Sequence, residues 1–349
     1  MFKHLYDFAR PWLFKMEPEK AHHFTLSQLD KAHRFGLLSC VVPNLPKVPV
    51  NVMGLQFNNP IGLAAGMDKN GQHIDTFLGL GFGFVEVGTV TPLAQAGNPS
   101  PRLFRLEAER ALINRLGFNN EGLDQFLVNV KRAGRTGKNG IGIVGLNIGK
   151  NAITPLDQAH LDYEKCLRGV YPHADYVTVN ISSPNTSNLR DLQEGDLRKL
   201  LFQTLKDTRD QLAQQHQKRV PILIKIAPDL SESAIAPLVD EVIEFGFEGI
   251  VATNTTLSRE AVQHHPLHTQ VGGLSGAPLF EKSTEILAKV KQHAGGQLVL
   301  IGVGGITEPQ QILTKIQAGA DLVQIYSGLI YAGPKLIWDG VKLLDQQRV

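Results

Sequence analysis

The chain has 349 residues, of which 42% are hydrophobic and 19% are charged, and its formal net charge is +2 at pH 7. This composition is that of a soluble globular protein with a sizeable core, and it excludes both a disordered chain and a basic nucleic-acid footprint. The two cysteines, Cys40 and Cys166, lack metal-type spacing, so we expect free thiols in a reducing compartment.

The first forty residues predict a pair of amphipathic helices rather than a signal peptide or a membrane-spanning helix. Phe2, Phe8 and Trp12 recur at roughly helical spacing, and a second helix begins near Pro18 and ends at Gly36. The apolar face of this hairpin packs on the main domain, contacts a membrane surface, or does both. Residues 41–58 predict a proline-containing linker and strands at the base of the following domain.

From Asn59 onward, apolar runs alternate with helical stretches such as 194–215, 231–245 and 308–318. Strands that are apolar throughout and alternate with helices predict a parallel (β/α)8 TIM barrel over residues 59–349, with an open doubly wound sheet as the alternative. The eight predicted strands begin at Pro60, Gly83, Ile141, Asp175, Pro221, Gly249, Leu298 and Asp321.

The C-terminal ends of barrel strands form the rim where active sites lie, and here every predicted strand end is polar or rich in glycine. Gly304, Gly305, Ser327 and Gly328 follow the last two strands, where barrel enzymes hold phosphate on backbone N–H groups. A third glycine group, GGLSG, ends at Gly276. The pattern predicts a phosphate site, with plain turn chemistry as the alternative.

The segment NISSPN follows the fourth strand and places Asn180, Ser183 and Asn185 where they can face one planar polar substrate, with Pro184 fixing the turn. Lys225 lies inside an apolar strand and points into the barrel mouth. It would serve an anionic ligand, a core ion pair or, in an aldolase-type enzyme, a Schiff base. Amides are numerous at this rim and favour recognition of a flat heterocycle; they are Asn114, Asn147, Asn180, Asn185 and Asn254.

The chain resembles the membrane-associated, quinone-using dihydroorotate dehydrogenases. The resemblance extends from about Glu17 to Leu344 and lies in AAGMDKNG, EVGTVTP, INRLGFNN, NISSPN, KIAPD, ATNTT, GGLSG, GVGGI and QIYSG. It implies an FMN enzyme that oxidises dihydroorotate to orotate in pyrimidine biosynthesis and passes the electrons to a membrane quinone.

The resemblance also implies a role for individual residues. FMN would be held by Ala65, Gly66, Met67, Asp68, Lys69, Thr89, Asn147, Asn180, Lys225, Thr253, Gly276, Gly305, Tyr326 and Ser327. Substrate would be bound by Lys69, Asn114, Arg115, Leu116, Gly117, Phe118, Asn180, Asn185, Asn254 and Thr255.

Ser183 stands at the position of the catalytic base, where the soluble class usually has cysteine, and it would be supported by Thr186 and the loop at Phe118. The N-terminal hairpin would admit the quinone, with His22 and Arg105 lining its end of the tunnel. We therefore expect a monomer bound peripherally to the cytoplasmic face of the inner membrane, without nucleic acid and without a resident metal.

Three histidines in HHPLH, His264, His265 and His268, favour a solvated loop over a metal site, because Pro266 interrupts them and no carboxylate pattern surrounds them. The resemblance makes residues 257–272 a mobile lid over the substrate. Two alternative interpretations remain. One is a flavin-free phosphate-binding barrel, such as an aldolase or isomerase. The other is a membrane-associated barrel without catalysis, and the NISSPN motif argues against it.

Overall fold

The structure is a computed structural model that describes residues 5–137, 140–186, 188–193 and 195–347. The strands in these ranges are β1 (Val50–Val52), β2 (Leu55–Phe57), β3 (Ile61–Leu63), β4 (Phe84–Val90), β5 (Leu103–Leu106), β6 (Ala111–Asn114), β7 (Thr136–Gly137), β8 (Gly140–Ile141), β9 (Ile143–Ile148), β10 (Tyr176–Asn180), β11 (Ile222–Ile226), β12 (Gly249–Ala252), β13 (Gly273–Gly276), β14 (Val299–Val303) and β15 (Leu322–Ile325).

The α-helices of the same ranges follow in chain order. They are α1 (Leu5–Lys15), α2 (Pro18–Arg34), α3 (Leu37–Val41), α4 (Ile74–Gly79), α5 (Leu123–Arg132), α6 (Ala159–Val170), α7 (Gly195–His216), α8 (Glu232–Glu244), α9 (Phe280–Ala294), α10 (Pro309–Gln317), α11 (Ser327–Ala332) and α12 (Lys335–Gln346). Phe2 and Glu194, which the sequence assigned to helices, lie outside the described residues.

Eight strands close into one parallel barrel in the order β3, β4, β9, β10, β11, β12, β14 and β15, with β15 pairing back onto β3. The predicted (β/α)8 barrel is confirmed, and the closed ring excludes the doubly wound open sheet. Because neighbouring strands run parallel, their polar ends meet at one rim: Asn180 pairs with Lys225, and Gly88 pairs with Asn147.

The opposite end of the barrel is closed by the β1–β2 hairpin. Phe57 of β2 is fully buried and packs edge to face on Phe84 of β4, with ring centroids 5.2 Å apart. Phe84 in turn meets Tyr176 of β10 at 6.4 Å. These aromatic side chains fill the floor of the barrel, so the polar rim is the end that remains open.

A second sheet, antiparallel in the order β13, β6, β5, lies beside the rim, and the sequence did not predict it. Residues Gly273–Gly276 of GGLSG therefore form a strand, and Gly276 at its end lines the cavity at the rim. Gly273 lies so close to a neighbouring side chain that a Cβ there would be 1.9 Å from Thr255 Oγ1. Glycine is needed at this position because it has no Cβ and lets the backbone pack closely on Thr255. Because glycines are also typical of turns, the segment resembles a turn in the sequence.

The N-terminal helices lie against the barrel. Glu17 caps α2 by accepting the N–H groups of Glu19 and Lys20, and Gly36 follows the helix end at φ +72°, as the sequence predicted. Short helix α3 comes next and was not predicted. None of the described helices is long and apolar enough to cross a membrane.

Candidate active site

The carboxyl ends of the barrel strands surround a cavity of about 970 Å³ that opens toward solvent. Most of the residues that the sequence assigned to FMN, substrate or base line it: Ala65, Gly66, Lys69, Thr89, Asn114, Leu116, Gly117, Phe118, Asn180, Ser183, Asn185, Lys225, Thr253, Asn254, Thr255, Gly276, Gly305, Tyr326 and Ser327.

Five assigned residues do not line this cavity. Met67 and Asp68 line a neighbouring cavity instead. Arg115 points away, because its guanidinium donates to Gln270 and to the carbonyls of Pro101 and Val271. The remaining two are Asn147, which contacts the lining residue Thr89, and Thr186, which is buried.

Asn147 contacts the cavity through Thr89, whose hydroxyl donates to Asn147 Oδ1 at 2.6 Å. The Asn147 amide donates in turn to Glu86 Oε1 at 2.7 Å. Glu86 is 0% exposed, and its Oε2 accepts further hydrogen bonds from Tyr176, Thr178 and Gln324.

Sequence reasoning missed both Glu86 and Gln324. The signal was present, since each is a polar residue inside an otherwise apolar strand. Gln324 lines the cavity, and its Oε1 is buried with no hydrogen-bond partner among the described residues. A buried acceptor of this kind is unfavourable unless a ligand or water satisfies it.

The amides at the rim are held in fixed orientations by one another. Asn180 Nδ2 donates to Thr89 Oγ1 at 3.0 Å, while Asn180 Oδ1 accepts from Ser182 Oγ and from Asn254 Nδ2. Asn254 Oδ1 accepts the N–H of Thr255 at 2.8 Å. Because their neighbours fix these groups, the site is preorganised for a planar ligand with alternating donors and acceptors.

Ser183 lines the cavity beside these amides, and 5% of its surface is exposed. Its Oγ accepts the backbone N–H of Asn185 at 3.2 Å, and among the described residues the hydroxyl donates to none. Asn185 donates to Asn114 Oδ1 at 3.0 Å, and Asn185 Oδ1 has no partner in the described chain. The Thr186 hydroxyl is likewise buried and unpartnered there. Ser183 thus has a hydrogen available for an acceptor that enters the cavity.

Two lysines face the cavity, and neither donates a hydrogen bond to any residue that the structure describes. Burial lowers the pKa of Lys69 to about 8. Burial also lowers the pKa of Lys225, and the charge of Glu86 opposes that shift. Buried ammonium groups without an acceptor are unfavourable, so the cavity suits an anionic ligand at both lysines.

The turns after β14 and β15 expose backbone N–H groups. Gly304 and Gly305 have φ angles of +115° and +79°, and a Cβ at Gly305 would lie 2.4 Å from Phe280 N. In the described chain, the N–H groups of these two glycines have no acceptor. Ser327 follows β15, and its Oγ lies 2.9 Å from Ser275 Oγ. This donor set matches a phosphate group.

A second cavity, of about 1370 Å³, lies between the N-terminal helices and the barrel. Its wall is mainly apolar and includes side chains of α1 and α2, among them Leu13, Phe14, Leu26 and Leu29. Three residues line both cavities: Lys69, Leu116 and Tyr326. The two spaces therefore adjoin at the edge of the barrel mouth.

The two predicted tunnel residues both line this second cavity. Burial lowers the pKa of His22 to about 3, with contributions from the nearby charges of Lys69 and His23, so its imidazole is neutral at pH 7. Arg105 donates to the carbonyls of Leu13, Phe14 and Met16. Because these carbonyls belong to the C-terminal end of α1 and the turn after it, Arg105 holds that helix in place.

The histidines of HHPLH bind protein groups. His264 Nε2 lies 2.8 Å from Glu109 Oε1, His265 Nδ1 accepts the N–H of Leu267, and His268 Nδ1 meets the carbonyl of His265. The described residues contain no cluster of three or more histidine, cysteine or carboxylate side chains arranged to hold a metal ion.

Comparison with known proteins gives the family. A family model described as dihydroorotate dehydrogenase matches residues 47–345. The chain is 56% identical over 339 residues to dihydroorotate dehydrogenase (quinone) of Bordetella avium strain 197N, covering 97% of each protein. It is 54% identical over 333 residues to the enzyme of the same name from Acinetobacter baumannii strain AYE, covering 95% of this chain and 97% of the relative.

Solved structures agree with this result. The ligand-free DHODH of Eimeria tenella superposes with a TM-score of 0.85 at 35% identity, covering 95% of this chain and 96% of that one. The same enzyme in complex with ferulenol gives a TM-score of 0.84 at 34% identity, covering 95% and 92%. Sequence, fold and cavity therefore lead to one conclusion: this chain belongs to the dihydroorotate dehydrogenase family.

Proposed function

We propose that this protein oxidises dihydroorotate to orotate in pyrimidine biosynthesis and passes the electrons through FMN to a membrane quinone. The observation that carries the proposal is the pair of adjoining cavities. The polar one suits a charged planar substrate and its cofactor, and the apolar one suits a lipid-soluble acceptor. Relatives at 53–56% identity bear the name dihydroorotate dehydrogenase (quinone), which supports the same reading.

The residues of the polar cavity fit FMN. The unpaired N–H groups of Gly304 and Gly305, together with Ser327, would hold its phosphate. Lys225 would face the ring and favour its reduced, anionic form, and the unpartnered Gln324 Oε1 offers an acceptor there. When bound, FMN supplies the hydride acceptor of the reaction. The other proposed contacts are Ala65, Gly66, Lys69, Thr89, Asn180, Thr253, Gly276 and Tyr326, with Asn147 acting through Thr89.

The substrate would lie between Lys69 and the asparagine side chains at the rim of the cavity. Lys69 would bind the carboxylate, and Asn114, Asn180, Asn185, Asn254 and Thr255 would bind the polar edge of the ring. Two of these groups, Asn185 Oδ1 and Thr255 Oγ1, are buried and lack partners in the described chain, as expected for atoms that a ligand satisfies.

Ser183 would act as the base. Its Oγ would take the proton from the substrate carbon beside the ring carbonyl, while hydride leaves the neighbouring carbon for the cofactor. Because a neutral serine hydroxyl cannot keep a second proton, Ser183 would release its own proton through water to the solvent as it takes the proton of the substrate. The buried Thr186 hydroxyl and the loop at Phe118 are the proposed support for that transfer.

The second cavity would admit the quinone. His22 and Arg105, which line this cavity, would lie near the polar groups of the quinone. Helix α1 exposes Phe8 at 79% and Trp12 at 73%, with Lys15 beside Trp12 at 4.9 Å from the ring centroid. Exposed aromatics next to basic side chains suit the surface of a membrane. We therefore propose peripheral attachment through the N-terminal helices, on the cytoplasmic face.

Anaerobic flavin bleaching tests the proposal. Purified protein is mixed with dihydroorotate, and a soluble quinone analogue, NAD or fumarate is then added. We expect the yellow colour to fade with dihydroorotate and to return only with the quinone analogue. A colourless protein, in which borohydride traps a substrate on Lys225, would instead establish an aldolase-type enzyme. Bleaching without reoxidation by the analogue would contradict the role of the second cavity.

A further inference from the structure

A lysine behind the glycine turn has no part in the mechanism above. Lys315 of α10 is 0% exposed and forms no ion pair with a described carboxylate. Its ammonium donates a single hydrogen bond, to Ser283 Oγ of α9 at 2.7 Å. The stem of the side chain passes close to Gly302 of β14, at the strand that leads into the turn.

The two residues that Lys315 contacts also support the turn. Ser283 Oγ lies 3.0 Å from the carbonyl of Gly304 and 3.0 Å from the carbonyl of Phe280, so its one hydrogen is shared between these two acceptors. Gly305 packs directly on the backbone of Phe280, as the absence of room for a Cβ shows. Lys315 Nζ lies 5.3 Å from the ring centroid of Phe280. The buried ammonium of Lys315 therefore contacts both residues that support the Gly304–Gly305 turn, Ser283 and Phe280.

This arrangement has an electrostatic consequence. A buried ammonium without a counter-ion is unfavourable, and burial lowers the pKa of Lys315 to about 7, with the charge of Glu281 opposing the shift. An anion held on the turn would supply the missing negative charge. The chain from lysine to serine to the Gly304 carbonyl also polarises the peptide whose N–H belongs to Gly305, which strengthens that group as a donor.

We propose that Lys315 is a positioning residue for the flavin phosphate, acting on the Gly304–Gly305 turn through Ser283 and by its own charge. The inference rests on the proposed FMN function and goes beyond it. It predicts that Lys315 strengthens flavin binding only through the phosphate group. Binding of a flavin that lacks the phosphate should therefore not depend on Lys315.

The test compares two flavins on the full-length protein. Wild type, Lys315→Met and Ser283→Ala are loaded with either FMN or riboflavin, and flavin release is followed by the return of flavin fluorescence. Loss of a unit charge behind a phosphate-binding turn in a partly buried site should cost about tenfold in affinity. We expect Lys315→Met to release FMN about tenfold faster and riboflavin at the wild-type rate, and Ser283→Ala to show a smaller change in the same direction.

Lys289→Met is the matched control, because Lys289 lies on α9 but pairs with Glu285 and Glu232 at the surface. It should leave the release of both flavins unchanged. An equal effect of Lys315→Met on both flavins, or no effect on either, overturns the inference. If that variant does not fold, Ser283→Ala decides by the same criterion. A wild-type protein that holds no FMN would overturn the proposed function as well, so the two failures can be told apart.

Discussion

Arg102 and Glu19 form a bidentate ion pair that joins helix α2 to the barrel mouth, with Nε and Nη2 each 2.9 Å from a carboxylate oxygen. Arg102 Nη1 also donates to the carbonyl of Asn98 at 2.8 Å. The Asn98 amide donates in turn to the carbonyl of Asn185 at 3.3 Å. A continuous chain of contacts therefore runs from the helix over the second cavity to the loop that carries Ser183.

The first prediction concerns this pair. Glu19→Gln should lower the free energy of unfolding by about 2 kcal/mol, between the values for exposed and buried pairs, because both side chains are mostly but not fully buried. Denaturant titration measures this change. Glu19 also lines the second cavity, so reoxidation of the flavin by quinone should slow more than its reduction by dihydroorotate. Glu164→Gln, which breaks the more exposed pair with Arg168, should change stability by less than about 0.5 kcal/mol.

Ser183→Ala should slow the reduction of the flavin by dihydroorotate by about 10²- to 10⁴-fold, the usual contribution of a positioned base. Stopped-flow bleaching under anaerobic conditions measures this rate. Flavin content and the reoxidation of chemically reduced protein by quinone should not change. Ser183→Cys should retain more activity than alanine, because a thiol loses its proton more readily. A loss smaller than tenfold in Ser183→Ala would exclude the serine as base.

If Lys69 binds the substrate carboxylate as proposed, binding of orotate should depend on pH. Only the charged form would bind the carboxylate. Burial lowers the pKa of Lys69 to about 8, so the charge is present below that pH and is lost as the pH rises through it. Orotate affinity should be constant below about pH 7 and should fall above pH 8. Titrating the flavin absorbance with orotate at each pH measures this. Lys69→Met should bind orotate at least about tenfold more weakly and lose the dependence; wild-type affinity in this variant would contradict the assignment.

Asp229 anchors the start of the predicted lid, residues 257–272. It accepts hydrogen bonds from Thr256, Leu257 and Lys282, and it pairs with Arg190, whose Nη2 holds the carbonyl of Thr255.

Burial raises the pKa of Asp229, but the bonds from Lys282, Thr256 and Leu257 outweigh burial and bring it down to about 2. The stabilisation is therefore present above the ordinary carboxyl pKa near 4 and is lost as the pH falls toward 2. Asp229→Asn should raise the rate of proteolysis within 257–272 and raise the KM for dihydroorotate. Orotate should protect the wild-type segment, and equal cleavage with and without orotate would contradict the lid. Asp240→Asn, at an exposed pair with His293, is the control.

The exposed aromatics of α1 give a test of membrane contact. The double change Phe8→Ser and Trp12→Ser removes two large apolar side chains that pack on little else, so it should weaken binding to lipid vesicles by at least about tenfold. Co-sedimentation with vesicles measures this. Reduction of a soluble quinone analogue should stay at the wild-type rate. Leu161→Ser and Ile153→Ser, exposed elsewhere on the barrel, should leave vesicle binding unchanged.

Apolar runs with polar ends were enough to predict the barrel and most of its rim. Strands buried on both faces need continuous apolar runs, and a polar residue at the end of such a run stands out, as Asn180 and Thr253 do. Lys225 was found for the same reason. Ser183 was predicted to face the site because NISSPN joins an amide, a hydroxyl and a fixed turn within six residues, and it lines the cavity.

Features that depend on residues far apart in the chain could not be predicted in this way and are seen only in the folded protein. The GGLSG strand pairs with β6 across more than 150 residues, and its glycines reflect a close approach to Thr255 that no local pattern encodes. Arg115 was assigned by its motif, yet its long side chain reaches Gln270 outside the cavity. The adjoining cavities, and the lysine behind the glycine turn, arise where separate helices pack on the barrel, because side-chain contacts between distant segments are set by packing and not by sequence period.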